Sequence, residues 1–370
     1  MKIVFLSAAK SIHTVKWVNA MSDRGHEVYL IYNKGHEPNS DLINEDVKLY
    51  CMRYGGSLGY YFNASELHRE VKKIQPDIVH VHYASGYGTL ARVAKIGPTL
   101  LSVWGSDVYD FPNESKVKNY IFKKNIRYAD KLASTSKCMA LQLQKTMNDN
   151  SIEVKITPFG VDTKRFDSDK YEKKKSDSIV IGNIKALSPK YGISELIYAI
   201  KALLSDNEIE DSVKNMLCVD IYGDGEQKEE LIELTYKLGL GNIVHFKGKI
   251  PNTKVPEVLS QIDIFCAMSQ LDSESFGVAV VEAMAMKKPV VASDVDGFSE
   301  VVEDRKTGII VKRTNIVQCK EALKQLILDQ SLRIEMGENG RKRVLDLYDW
   351  KKNVDYMECI YRDFLKVKDK

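Results

Sequence analysis

Two carboxylates eight positions apart, Glu274 and Glu282, bracket the segment Glu274-Ser-Phe-Gly-Val-Ala-Val-Val-Glu282. Residues 278–286 are apolar apart from Glu282, and a helix that is apolar all round is a buried helix. A lone carboxylate on it needs a hydrogen-bonding ligand or a cation, because an unpaired buried charge is costly. The polar loop Gln270 to Ser275 delivers Glu274 and the Gly277 backbone to the helix start, where free N–H groups and the helix dipole favour an anion. Such a set can grip a sugar, a phosphate and a second polyol such as ribose. The competing reading is a structural ion pair. The next segment of the chain, Lys287-Lys-Pro-Val-Val-Ala-Ser293, reads as a turn, a buried strand and its polar C-terminal edge. Ligands of open α/β sheets bind outside those carboxyl ends, which favours the ligand.

A second constellation is cationic. After the strand Ile179-Val-Ile181 comes Gly182-Asn-Ile-Lys-Ala-Leu-Ser-Pro-Lys-Tyr-Gly192. Lys185 and Lys190 stand in a Gly- and Pro-containing loop at a strand's C-terminal end, placed to converge on a diphosphate. A departing phosphate must be neutralised by metal, cations or backbone donors. Asp294-Val-Asp296 raises the metal option, since Asp-x-Asp pairs offer hard oxygen ligands. With two lysines already present for phosphates, no metal or other cofactor is expected. Asp167-Ser-Asp169 reads as solvated.

The elements that must position these groups alternate strand and helix throughout, the signature of parallel α/β sheets. Strands are predicted at 2–6, 27–32, 77–82, 99–104, 130–134 and 153–157, then at 178–182, 217–222, 243–246, 262–266, 289–293 and 308–311. Helices fit at 13–24, 113–128, 192–205, 225–237, 276–287 and 314–328. The chain's 370 residues exceed what one core usually supports. The charged stretch Lys164 to Ser176 lacks apolar periodicity and reads as a linker. The expected domains are 1–165 and 176–349, followed by a C-terminal helix in 350–370.

Six cysteines without a C-x-x-C pair suit a reduced, cytoplasmic protein without structural zinc. No run of about 20 apolar residues offers a spanning helix, and Met1 to Ser7 reads as a first strand rather than a signal peptide. Residues 1–170 carry 24 Lys+Arg against 18 Asp+Glu and the remainder 30 against 33. The first half is thus mildly basic, compatible with an anionic acceptor or membrane surface. Its densest patch, Lys116 to Tyr128, places Val117, Tyr120, Ile121 and Ile126 roughly at helical spacing. It reads as a packed surface helix, the alternative being an interfacial helix on anionic lipid. Nucleic acid is not expected of a nearly balanced chain.

The Glu274–Glu282 segment, with Phe276-Gly277 inside it and Pro289-Val-Val-Ala-Ser293 after it, resembles the E-x7-E signature of family 4 retaining glycosyltransferases, the group 1 type. Further matches run in order along nearly the whole chain: Arg24-Gly-His-Glu-Val28, Asp77-Ile-Val-His-Val-His82, Ser102-Val-Trp-Gly-Ser-Asp107, Pro158-Phe-Gly-Val-Asp162, Tyr222-Gly-Asp-Gly225 and His245-Phe-Lys-Gly-Lys249. The resemblance implies the GT-B architecture: two facing Rossmann-like domains, an acceptor-binding one first and a nucleotide-sugar-binding one second, with the C-terminal helix crossing back to the first. It implies a nucleotide diphosphate sugar as donor, UDP favoured and GDP next. The implied acceptor is a glycan or lipid-linked carrier in bacterial surface polysaccharide assembly, such as capsule or O-antigen. Work would be done in the cytoplasm, at the inner face of the plasma membrane where the basic domain binds lipid.

The same resemblance implies residue roles. Glu282 accepts from ribose hydroxyls. Glu274 contacts the transferred sugar and stabilises its anomeric centre. Backbone around Ser275, Phe276, Gly277 and Val278 meets the diphosphate with Lys185 and Lys190, and the loop at Lys249 and Ile250 flanks the base. Catalytic roles fall to Glu274, Asp107 and Lys190. Where many members carry a His before Gly-Ser-Asp, this chain has Trp104, so that role does not transfer. Trp104, with His13 and His82, is a candidate for the acceptor cleft. Asp296 stands where a second glycine is usual before Gly297. Runner-up readings are a UDP-sugar 2-epimerase on the same architecture, an NAD-dependent oxidoreductase and a non-catalytic partner subunit. The oxidoreductase lacks support, since Gly55-Gly-Ser-Leu-Gly59 has the wrong spacing for a dinucleotide fingerprint.

Overall fold

The computed structural model describes residues 1–368, and the chain divides into two compact units. One comprises Met1–Phe159 with the chain from Lys351 onward, the other Gly160–Trp350.

The first unit is built on seven strands: β1 (Lys2–Leu6), β2 (Glu27–Lys34), β3 (Lys48–Gly55), β4 (Ile78–His82), β5 (Thr99–Val103), β6 (Lys131–Ser134) and β7 (Val154–Ile156). They pair in parallel in the order β3-β2-β1-β4-β5-β6-β7. β4 and β5 are buried along their whole length, as strands covered on both faces must be. β3 is absent from the sequence expectation because it is an edge strand. Only Met52 among its residues is buried, so it lacks the apolar run that marks the others. The helix expected at 113–128 is two, Phe111–Glu114 and Lys116–Tyr128, separated by an extended Ser115 whose side chain caps the second. Val117 and Tyr120, read as packing positions, stand 67% and 62% exposed.

The C-terminal helix Trp350–Lys368 packs on this unit. Tyr361, fully buried, hydrogen-bonds His80 Nδ1 at 2.6 Å through its hydroxyl. Arg24 donates to Glu358 at 2.7 Å and to Asp355. Arg362 and Arg24, acting against burial, hold the Glu358 carboxyl down at about 2. A depressed carboxylate contributes stability above its unfolded pKa of about 4.3 and loses it as pH falls towards the folded value. Glu358→Gln is therefore expected to cost about 1.5–3 kcal/mol at pH 7 and much less at pH 2.5. Urea midpoints at the two pH values check this, and an equal gap at both would refute the ionic account.

The second unit has six strands: β8 (Ile179–Ile184), β9 (Leu217–Tyr222), β10 (Val244–Gly248), β11 (Ile264–Ala267), β12 (Val290–Ser293) and β13 (Gly308–Val311). They are parallel in the order β10-β9-β8-β11-β12-β13. The order reverses between β8 and β11, the switch point where such sheets open a crevice at the carboxyl ends of the strands. The stretch 164–176, read as a linker, belongs to this unit and is strapped along it. Arg165 donates to Asn252, Lys173 pairs with Asp263, and Lys174 N donates to Gln261 Oε1 at 3.0 Å.

Candidate active site

The loops leaving β8 and β11 bring the two sequence constellations together. Lys185 Nζ lies 2.7 Å from Glu274 Oε2 and 4.6 Å from the centroid of the Tyr191 ring. Lys190 Nζ approaches the same ring at 5.5 Å, so Tyr191 is flanked by both ammonium groups. Gln270 N donates to Lys190 O at 2.8 Å and ties the two loops. Burial pulls the Lys185 pKa down, but Glu274, Tyr191 and Glu282 together more than offset it and hold the amine above its ordinary value. Lys185, Glu274 and Glu282 thus form one electrostatic cluster, which Lys190 joins through the Tyr191 ring, with Glu274 only 8% exposed.

Glu282 departs from expectation. It is half-buried, not buried, on the helix Val278–Ala285. Val278, Ala279 and Glu282 form a partly open stripe, while Val280, Val281, Ala283, Met284 and Ala285 pack inward. The helix is capped at its start by Gly277, and Ser275 and Phe276 before it are buried. Lys249, exposed, and Ile250, half-buried, follow β10, two strands away from β8.

Two glycines that sequence reasoning left without a role hold these loops in place. At Gly223 (φ +149°) a Cβ would lie 1.8 Å from Lys185 O, and at Gly297 one would lie 2.2 Å from Glu274 O and 2.5 Å from Phe276 N. The signal was present as small residues after β9 and β12, but their neighbours are remote in sequence. Gly297→Ala is expected to displace the Glu274 loop and cost about 1–3 kcal/mol of overpacking strain. An unchanged unfolding midpoint with unchanged nucleotide binding would contradict that. Asp294 is engaged elsewhere: although burial pushes its carboxyl up, Lys312 and Arg313 bring it to about 2. Asp296 N donates to Asp272 Oδ1 at 3.1 Å.

In the first unit, His13 and Trp104 line a cleft of about 490 Å³ at the carboxyl ends of β1, β2, β4 and β5. His13 stacks on Phe159 at 3.8 Å, and Trp104 meets Phe159 edge-on at 5.3 Å. His82 does not line the cleft. It is wholly buried, 4.3 Å from the Trp104 ring, with Nδ1 on Ser7 Oγ at 3.0 Å. Burial, with His80 and His13 adding to it, holds its pKa well below the usual histidine value. Asp107 is 1% exposed, and its oxygens accept from the backbone N–H groups of Ala84 (2.8 Å), Trp104 (3.1 Å) and Gly105 (2.9 Å). That placement corrects the catalytic expectation: Asp107 ties the loops after β4 and β5 and positions Trp104.

Residues 164–343 match the family described as glycosyl transferases group 1, and residues 2–136 match glycosyl transferase 4-like proteins. N-acetyl-alpha-D-glucosaminyl L-malate synthase of Bacillus anthracis is 26% identical over 94% of this chain and 91% of its own. A capsular polysaccharide biosynthesis glycosyltransferase of Staphylococcus aureus is 28% identical over 58% of this chain and 53% of its own. The Anabaena protein HepE, solved in complex with UDP-glucose, superposes with a TM-score of 0.77 at 18% identity, covering 98% of this chain and 100% of that one. The two matched segments account for most of the chain, and together with the paired parallel sheets they make it a member of the group 1, family 4 type of GT-B glycosyltransferases.

Proposed function

We propose that this enzyme moves a sugar from a nucleotide diphosphate sugar, a UDP-sugar first and a GDP-sugar next, to a glycan or lipid-linked acceptor of a bacterial surface polysaccharide, with retention at the anomeric carbon. The observation that carries it is the cluster at the β8/β11 switch point, where Lys185 pairs with Glu274, feels the charge of Glu282, and shares the Tyr191 ring with Lys190. Lysines there oppose charge growing on the leaving diphosphate. Glu274 lies beside them to meet hydroxyls of the transferred sugar and a cationic anomeric centre, and Glu282 on its open stripe to accept from the ribose. The leaving phosphate then takes the acceptor proton from the same face, so no separate base is needed. The UDP-glucose bound by HepE supports a uridine donor. The capsular relative supports a polysaccharide setting.

Metal-free transfer fits the same cluster, because two cations stand where a metal would otherwise neutralise phosphate and Asp294 is already paired with Lys312 and Arg313. No helix among the described residues is long and apolar enough to cross a membrane. In this reading the enzyme works in the cytoplasm and touches anionic lipid through the basic first domain. Exposed Val117 and Tyr120 on the lysine-rich helix Lys116–Tyr128 support that contact. Flotation with vesicles that contain or lack phosphatidylserine tests it, and no difference between them would sink it.

The donor reading is tested by thermal shift with UDP, GDP, ADP, NAD and their sugar conjugates in EDTA. One nucleotide diphosphate should stabilise by roughly 2.7 kcal/mol at a hundredfold excess over its dissociation constant, and Glu282→Ala should abolish the shift. A response to NAD alone, or to no nucleotide sugar, overturns the proposal. The α configuration of the product from an α-configured donor, read by NMR, tests retention.

A further inference from the structure

An aromatic ring has no phosphate chemistry of its own, yet Tyr191 stands against both lysines of the second unit's cluster. The Lys185 ammonium lies over its ring at 4.6 Å from the centroid and the Lys190 ammonium at 5.5 Å, both within reach of a cation–π attraction. The phenol hydroxyl makes no hydrogen bond to the described residues, so the ring face is what this half-buried side chain offers its surroundings. The backbone that carries the ring is fixed. Pro189–Tyr191 is a single 3₁₀ turn with Pro189 at its start, and Tyr191 N donates to Ser188 O at 3.0 Å. Gly192 then turns left-handed (φ +62°), where a Cβ would lie 1.9 Å from Met268 O, so the turn sits hard against the end of β11. Tyr191 and Lys185 also line one small cavity with Gly277 and Ala279, at the start of the helix Val278–Ala285. The ring thus stands on a rigid turn beside the helix start that meets the diphosphate in the donor reading.

Two ammonium groups near one ring repel each other, and each ends a flexible stem whose freedom is lost when it is fixed. Left alone, the pair would spread into solvent and be gathered only as the donor bound. The negative face of an aromatic ring attracts each cation without neutralising it, whereas another carboxylate would cancel the charge that the phosphate needs. We infer that Tyr191 is a positioning residue for the transfer reaction: its ring face gathers Lys185 and Lys190 before the donor arrives, so that their charge is in place when the diphosphate leaves. This rests on the donor reading of the same site. A preplaced cation costs no reorganisation during the reaction, so the benefit belongs to the transition state.

The test is the steady-state release of nucleoside diphosphate by the full chain from UDP-glucose, UDP-N-acetylglucosamine or GDP-mannose, whichever stabilises the native protein. Tyr191→Leu should lower kcat about tenfold, with KM within about threefold and the melting temperature of the donor-free protein unchanged. Tyr191→Phe, which keeps the ring face, should hold kcat to within about threefold of native. Phenylalanine analogues with successively more ring fluorine at position 191 should then lower kcat stepwise, because fluorine drains the ring face of electron density and barely changes its size. In a Lys190→Ala background, Tyr191→Leu should cost no more than about threefold, since one of its two cations is gone. A kcat indifferent to fluorine makes Tyr191 a packing residue and overturns the inference. So does a loss in Tyr191→Phe equal to that in Tyr191→Leu, which would assign the hydroxyl, or a loss that appears in KM alone. Failure of the donor reading looks different: the native protein itself is then stabilised by none of these conjugates, and the inference falls with it.

Discussion

Lys190→Ala is expected to slow transfer by about 10²–10³-fold while the protein stays folded. The residue is half-buried, and its backbone carbonyl rather than its side chain anchors the loop to Gln270. Truncation therefore removes the charge and spares the tie. The donor diphosphate is already anionic in the ground state, but cleavage of the glycosidic bond adds charge to the leaving oxygen. A cation placed there stabilises the transition state more than the bound donor. The loss should accordingly fall mainly in kcat. Lys190→Arg should recover part of it, since guanidinium keeps the charge but alters reach and geometry. Steady-state rates with the nucleotide sugar that shifts the melting curve provide the check. A rise in KM with kcat intact would recast Lys190 as a ground-state binder.

Much of the frame around this cluster was legible in the sequence for one reason: strands buried on both faces announce themselves as apolar runs. β1, β5, β11 and β12 do so, and with their order comes the rule that ligands gather at their carboxyl ends. β3 escaped because an exposed edge needs no apolar run. The pairing of Lys185 with Glu274 was equally invisible. Each residue marks its own loop, but only the reversal of strand order between β8 and β11 makes the loops neighbours. Asp107 and His82 failed differently. A polar residue at a strand end reads as a ligand contact, yet backbone N–H groups claimed the carboxylate and packing enclosed the ring. Glu282 shows the reverse error. Its apolar surroundings suggested full burial, whereas an eight-residue helix with one partly open stripe leaves it half-buried. Burial is a property of the partner surface, and that surface is absent from the local sequence.

Glu274→Gln is expected to cost a similar 10²-fold or more in kcat, and its pH profile carries the sharper information. Glutamine keeps the volume of the side chain, so the loop pressed against Gly297 need not move. The variant loses only the negative charge beside Lys185. In the native protein burial lowers the Lys185 pKa, but Glu274 leads the interactions that raise it, with Tyr191 next and Glu282 the weakest, and the amine stays charged through the neutral range. Without Glu274, burial acts against Tyr191 and Glu282 alone, so the folded-state pKa falls. The ammonium is then present at low pH and lost as pH rises through the lowered value. The variant's residual rate should fall with rising pH over a range where the native enzyme is flat. Adding Lys185→Met should remove the new pH dependence without multiplying the two losses, because the partners share one interaction. A pH profile parallel to the native one, or a double variant whose losses multiply in full, would mean that the pair is structural and that Glu274 acts on the sugar without help from Lys185.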